Sequence, residues 1–385
     1  MLLLSKPRSK PAVPFKTPAF LFGAACCIFV LMKTMRRQAH ERSKMCKADE
    51  NGDVVERSCP RGLTAIRHGH HLKLGHSTFP DGAPNLSDMG ERQVGGHKTS
   101  DGKAGMLTHP PNLILKPGQS KTRFLREVAF YEEVEARRAG NGSLTLQPLY
   151  GLERFLSTYC GVVQLGNWGS TDTTRSLAAC HSGDFLVFLD ATAGMTLPCV
   201  LDIKIGRRTF EPDASETKRR KEFAKYPRQG EAGFRFVGSR VFCRRSDDSV
   251  SDDAKGAGKY ITVGKKACLA VPPEEGLSFL RKFFVGGLRD PLDRARVIAE
   301  IAKRISELVS SFQQQTTFTF TSSSVLVIYD GAHSRGDNPS KEMPAVDVRF
   351  IDIAHVRPAD GEVDESTLFG LQRLEGLLNA LHFEI

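Results

Sequence analysis

The stretch LPCVLDIKIGRRTFEPDASETKRRKEF, residues 197–223, decides how the chain is read. It opens as a strand of alternating apolar side chains, yet Asp202 and Lys204 stand in its middle. Successive side chains of a strand point to opposite faces, so Leu201, Ile203 and Ile205 share one face and Asp202 and Lys204 the other. The two charges project together, about 7 Å apart along the strand. Same-face neighbours in one strand pair poorly, and a charge taken from water without a good partner costs several kcal/mol. The strand therefore reads as a cleft wall serving a polar ligand, in preference to one with a buried internal ion pair.

The residues that follow extend this wall. Asp213 and Glu216, three apart, form a capping-box pattern for a helix start. Lys218, Lys221 and Lys225 then fall at i, i+3 and i+7, which puts three ammonium groups on one helical face. A solvated basic face and an anion-binding wall both account for such a run. Its place directly after the cleft strand gives the second reading at least equal standing.

Near the C-terminus the stretch FIDIAHV repeats the anomaly, with Asp352 amid Ile351, Ile353 and Val356. A carboxylate there is either buried and protonated or holds a cation. Mg²⁺ bridging phosphates is the sharper reading, because Mg²⁺ takes one or two carboxylates plus phosphate oxygens and water. Lys116, at the end of the apolar strand NLILKP, would supply positive charge to those phosphates. Glu127, on the helix TRFLREVAFYEEVEARR, would hold it in place, a pairing that recurs in kinases. That helix buries one face through Phe124, Val128, Tyr131 and Val134.

The whole chain has 385 residues, with 40% hydrophobic and 25% charged, an ordinary globular composition. Its net charge of +10 and pI near 9.2 point to a polyanionic partner: nucleic acid, an anionic membrane or a highly phosphorylated small molecule. Nine cysteines, an odd number without CxxC or zinc spacing, indicate a reducing compartment, cytoplasm or nucleus. HGHH, residues 68–71, reads as an unstructured tract and not as a metal site. The apolar run Pro18–Met32 has 15 residues, short of the roughly 20 that span a bilayer. Two readings of it stand, an anchor to an anionic membrane or a chain whose true start is Met35 or Met45.

Residues 1–93 are expected to be a basic extension, polar and low in complexity after the apolar run. An N-lobe of strands and one helix follows over 94–190, and a mixed C-lobe over 191–385. GFRFVGSRVF is predicted as a strand or two, and CRRSDDSVSDDAKGAGKY as a surface loop. DPLDRARVIAEIAKRISELVSSFQQQ is the longest helix signal, capped by Asp290 or Asp293. Two apolar strands, SSSVLVIYDG and VDVRFIDIAHV, and a final amphipathic helix close the chain. The class is α+β, two-lobed, without the regular alternation of a doubly wound sheet.

Three separated motifs in order, PCVLDIKIG, SSSVLVIYDG and FIDIAHV, resemble the inositol polyphosphate kinase family, and the likeness extends over most of residues 94–382. Within it, GHKTSDGKAGMLTHP, ASETKRRKEFAKYP and GFRFVGSRVF are most similar to the multikinase branch. The resemblance implies a fold distantly like protein kinases, with ATP between the lobes and Mg²⁺ as cofactor. It implies that Lys116 contacts the ATP phosphates and Glu127 steadies it, and that adenine bonds backbone near Leu189, Asp190 and Ala191. Asp202 would take the ribose hydroxyls, Lys204 the substrate and the moving phosphate, and Asp352 the metal. Ser323 and Ser324 begin the strand that leads to the metal site. Gln119, Arg123, Lys218, Lys221 and Lys225 would line the inositol phosphate site, with His355 beside the accepting hydroxyl.

The implied reaction carries inositol tris- and tetrakisphosphate toward pentakisphosphate. The alternative within the class is a hexakisphosphate kinase making pyrophosphates, and from another class an inactive basic scaffold. Nucleic acid is not expected, since basic stripes interleaved with aromatics are not evident. Three departures from the family pattern stand out: Asp190 and Ala191 at the hinge, Ile353 for an aromatic, and Glu222 where multikinases tend to carry a neutral polar residue.

Overall fold

The computed structural model describes residues 66–68, 71–73, 86–96, 105–138, 148–165, 183–244, 258–332 and 343–384. The chain divides into two compact units, Met1–Arg57 and Ser58–Ile385, and every described residue lies in the second. The apolar run 18–32 and Trp168 fall outside the described residues.

The first seven strands form one sheet: β1 (Ile66–His68), β2 (His71–Lys73), β3 (Ser87–Asp88), β4 (Leu107–His109), β5 (Leu113–Pro117), β6 (Tyr159–Leu165) and β7 (Gly183–Leu189), in spatial order β1-β2-β6-β7-β5-β4-β3. Helix α1 (Lys121–Arg138) enters between β5 and β6. β1, β2 and β3 lie inside the stretch 1–93 read as an extension. Strands of two or three residues are too short to show a period of two, which is why composition alone reads as linker there. His68 and His71 of HGHH pair across β1 and β2, and the two residues between them lie outside the described residues.

The second sheet is built from β8 (Pro198–Ile205), β9 (Phe234–Arg244), β10 (Gly258–Val263), β12 (Ser324–Asp330) and β13 (Val346–Ile351), in order β10-β9-β8-β12-β13. β11 (Phe318–Phe320) and β14 (Val356–Pro358) make a small antiparallel pair beside it. GFRFVGSRVF is one long strand, and the ends of the expected surface loop belong to β9 and β10. Helices α2 (Glu216–Lys225), α3 (Gly276–Gly287), α4 (Pro291–Gln314) and α5 (Glu365–Phe383) complete the unit. Asp290 caps α4, its carboxylate accepting from the N–H groups of Leu292 and Asp293. No helix among the described residues is long and apolar enough to cross a membrane.

Two apolar cores result. A small one lies against the first sheet, made of Leu107, Leu113, Leu115, Val163, Phe185 and Val187. The large one runs from α1 through the second sheet to α4 and α5. Phe130 of α1 packs edge-on against Phe318 and Phe320, and Phe320 and Phe312 against Phe350. Such pairs add about 0.5–1.5 kcal/mol each beyond the area they bury. Helix α1 interrupts the first sheet in sequence but is fastened to the large core, and this brings Glu127 beside the end of β13.

Candidate active site

In β5, Leu113 and Leu115 enter the small core, so Ile114 and Lys116 leave by the opposite face. Lys116 Nζ donates to Glu127 Oε1 at 2.7 Å and to Asp352 Oδ1 at 2.9 Å. Three distant segments, β5, α1 and the turn after β13, therefore meet at one ammonium. Asp352 has φ +63°, in the left-handed region that Asp tolerates better than most residues. That turn buries Ile353 fully while the Asp352 side chain stays 32% exposed.

Burial opposes the charge on both partners, and the pairing prevails. Lys116 and Lys204 hold the Asp352 carboxyl down at about 2. Asp352 and Glu127 raise Lys116 above the ordinary lysine range. Asp352 is thus neither protonated nor dependent on a metal for its counter-charge: the cation it holds here is Lys116. Its second oxygen is not engaged by any described residue.

On β8, Cys199, Leu201, Ile203 and Ile205 fill the large core, and Asp202 and Lys204 face the other way. Lys204 Nζ donates to the Ser322 carbonyl at 2.6 Å and lies 3.2 Å from Ser322 Oγ. Asp202 is not its hydrogen-bond partner, so the two charges do not form an internal pair. Burial lowers the Lys204 pKa against the pull of Asp352 and Asp202. Burial, then the like charge of Asp352, pushes the Asp202 carboxyl up to about 6.

Asp202 Oδ1 and Ser324 Oγ are both buried without a geometrically complete hydrogen bond. Ser324 stands opposite Lys204 in the β8–β12 ladder, and Ser323 Oγ donates to the Asp352 carbonyl at 3.0 Å. Across the other edge of β8, the segment Gln93–Gly96 lies directly on Asp202. A Cβ at Gly95 would stand 1.9 Å from Asp202 Oδ2, and one at Gly238 of β9 would stand 2.2 Å from the Val94 carbonyl oxygen. Glycine is required at both for the backbone to approach so closely.

The expected hinge is partly spent on the protein itself. Leu189 N–H donates to Thr158 O and Asp190 N–H to Asn112 O, while the Asp190 carboxylate accepts from Thr192. Of the three residues, only Ala191 has an N–H not engaged by another described residue.

Helix α2 is capped by Ser215, whose hydroxyl accepts from Lys218 N–H at 3.3 Å, and not by Asp213. Asp213 takes a bidentate contact from Arg357 instead, at 2.7 and 2.9 Å. Of the three lysines of this helix, Lys218 and Lys225 both donate to Glu222 Oε1 at 2.7 Å. Lys221 remains exposed. Gln119 and Arg123 pair with each other at 3.3 Å on the first turn of α1.

Sequence reading missed a second hub at Glu211. Its Oε1 receives Arg126 at 2.5 Å and Arg357 at 3.2 Å, and His355 Nδ1 lies 3.5 Å away. Burial opposes ionisation of Glu211, but Arg357 and Arg126 hold its carboxyl at about 2. Burial, then Arg123, lowers the His355 pKa, against the opposing pull of Glu211. A lone acid in the basic loop GRRTFEP is the only signal for this hub, and nothing local names its partners.

Within reach of one another's charge thus lie the ionised carboxylate of Asp352, the ammonium groups of Lys116 and Lys204, the buried carboxyl of Asp202 and the imidazole of His355. The inositol polyphosphate kinase family model matches residues 185–379, half of the chain. The chain belongs to the inositol polyphosphate kinase family.

Among relatives, it is 29% identical over 269 residues to the inositol polyphosphate multikinase of Mus musculus, covering 70% of this chain and 60% of that protein. It is 30% identical over 294 residues to a multikinase of Oryza sativa subsp. indica, covering 73% and 90%. The chain therefore matches three fifths of the mouse relative's length. A crystal structure of the S. cerevisiae inositol phosphate multikinase in complex with ADP and Mn²⁺ is similar at a TM-score of 0.49 and 19% identity, over 70% of this chain and 98% of that one.

Proposed function

We propose that the chain is an ATP-dependent kinase that transfers the γ-phosphate to hydroxyls of inositol polyphosphates, from tris- and tetrakisphosphate toward pentakisphosphate. The carrying observation is the convergence of Lys116, Glu127 and Asp352 from three segments beside Lys204. The names of the relatives, multikinases from a mammal and a plant, support the same substrate class.

In this reading, Lys116 meets the ATP phosphates and Glu127 fixes its direction. The buried Asp202 carboxyl would accept from a ribose hydroxyl, with Ser323 and Ser324 shaping the floor beside it. Ala191 N–H and neighbouring carbonyls would take the adenine. For Mg²⁺ the donor set fits: Asp352 is ionised, partly exposed and has an unengaged oxygen. Among the described residues there is no cluster of three acidic, His or Cys ligands, so phosphates and water would complete the shell. When bound, the metal neutralises charge on the phosphoryl oxygens.

Lys204 holds the moving phosphoryl group between donor and acceptor, where a fixed ammonium in a water-poor site stabilises developing charge. His355, its pKa held below the ordinary histidine value, accepts the proton of the attacking hydroxyl. The new bond joins that oxygen to Pγ, the bond from Pγ to the β–γ bridging oxygen breaks, and ADP leaves with the electron pair. Gln119, Arg123, Lys218, Lys221 and Lys225 gather the remaining ring phosphates.

The test is transfer of label from γ-labelled ATP by the full chain with Mg²⁺, offered inositol trisphosphate, hexakisphosphate or no acceptor. Label on the trisphosphate is expected. Label on the hexakisphosphate alone would move the chain to the pyrophosphate-forming branch, and none on either would leave a basic scaffold. We place the chain in the cytoplasm or nucleus, supported by the free thiols of Cys199, Cys243 and Cys268. Association with anionic membranes through residues 18–32 is proposed as a separate property. Sedimentation of the full chain with phosphatidylserine vesicles, lost on deleting that run, is expected, and recovery in the supernatant would contradict it.

A further inference from the structure

Helix α2 carries a carboxylate where its charge matters most. Glu222 stands four residues after Lys218 and three before Lys225, so all three share a face. Both ammonium groups converge on one oxygen, Oε1, at 2.7 Å. The Glu222 side chain is only 7% exposed, against 45% and 42% for the two lysines. The carboxylate therefore lies beneath, and the ammonium groups sit on its solvent side. Thr209 Oγ1 is 3.5 Å from its other oxygen, and its charge also acts on buried Arg235 and on Lys265. Lys218 and Lys225 overcome the cost of burial and hold its carboxyl at about 2, so the negative charge is permanent at physiological pH.

We propose that Glu222 is a selectivity-determining residue that keeps Lys218 and Lys225 partly neutralised and so tunes this wall to inositol phosphates carrying few phosphates. The inference rests on the kinase reading of the site. A ring phosphate arriving at α2 must share each ammonium with a fixed carboxylate, and it also meets that carboxylate's own field. Coulomb repulsion adds over every phosphate within reach, so the penalty grows with the number on the ring. The same contact holds two long side chains in place, which reduces the rotamer entropy they lose when a lightly charged ligand binds.

A purely structural role, anchoring α2, would not depend on ligand charge, and that separates the two readings. The full chain and Glu222→Gln, which keeps a neutral acceptor for the lysines, are compared by calorimetry with inositol trisphosphate and inositol hexakisphosphate, without ATP. Glu222→Gln is expected to tighten the hexakisphosphate about tenfold and the trisphosphate about twofold, with kcat on the trisphosphate within about twofold of the parent. Restoring the net charge in the double variant Glu222→Gln/Lys218→Gln should return the ratio of the two affinities to within about twofold of the parent.

Equal changes for both ligands, or no change in their ratio, would overturn the proposal. If Glu222→Gln melts early, Lys225→Gln reads the same effect with opposite sign, weakening the hexakisphosphate about tenfold and the trisphosphate about twofold; equal losses overturn it. A parent chain that binds both ligands but transfers no phosphate would refute the kinase reading and still test Glu222. One that binds neither would refute both.

Discussion

Two charge clusters of this chain, at Lys116 and at Glu222, are built on opposite plans. At Lys116 the side chains of the lysine and Glu127 are 11% and 4% exposed. At Glu222 the acid is buried but its lysines are more than two fifths exposed. Breaking a buried pair leaves an uncompensated charge and costs about 3–5 kcal/mol, whereas exposed ammonium groups simply rehydrate. The first cluster suits invariant chemistry at the phosphoryl group. The second suits adjustment to whichever polyanion arrives, because its members can change partners cheaply.

The contrast breaks first if the buried cluster tolerates change. Lys116→Met should lower the unfolding free energy by about 3 kcal/mol or more and abolish turnover, read by urea melts and γ-phosphate transfer. Retention of parent stability would place Glu127 in contact with water and dissolve the distinction. Lys204→Ala, which removes an ammonium hydrogen-bonded to the Ser322 carbonyl, should cost about 10²–10³ in kcat with the fold intact. A change in KM alone would make Lys204 a binding group and nothing more.

The Glu211 hub stands between the two plans, and a smaller effect is expected there. Glu211→Gln releases Arg126 and Arg357 and removes the carboxylate beside His355, so kcat/KM should fall about tenfold. The acidic limb of the kcat/KM profile should move to lower pH, because the group that favours protonated His355 is gone. An unmoved limb would separate Glu211 from the imidazole.

Stability against pH gives the smallest and most graded test. Asp202 has a folded value of about 6, above its ordinary 3.8, so the folded chain binds more protons between them. Its contribution to stability therefore falls as pH rises from about 4 to 6. Glu211, Glu222 and Asp352 have folded values of about 2, below their ordinary values. Their stabilisation is present above about pH 4.5 and is lost as pH falls toward 2. Urea midpoints across pH 3–7 should show both limbs, and Asp202→Asn should flatten the first while sparing the second.

Much of the candidate site around Lys116 was legible in sequence because each of its members breaks a local pattern. Asp202 and Lys204 interrupt an alternating strand, Asp352 interrupts an apolar run, and Lys116 ends one. The Glu211 hub was not legible, since its partners Arg126 and Arg357 lie 85 and 146 residues away and no spacing announces them. Glu222 was visible at helical spacing from both lysines, but counting ammonium groups on a face omits the acid that lies under them. The short strands β1 to β3 escaped because their pairing, and not their composition, makes them strands. At the hinge, Leu189 and Asp190 belong to the expected segment, yet their N–H groups close contacts within the protein that only the folded chain reveals.

If the carboxylate held by Lys116 serves phosphoryl transfer and does not merely hold the fold together, its charge and its shape can be separated. Asp352→Asn keeps the shape of the side chain and removes its charge. Single-turnover transfer from γ-labelled ATP to inositol trisphosphate, at saturating nucleotide and with melts run alongside, measures this directly. The account predicts a rate lower by about 10³ in a chain that still folds and still binds ATP. Transfer at the parent rate would remove Asp352 from the chemistry and leave its contact with Lys116 a structural ion pair.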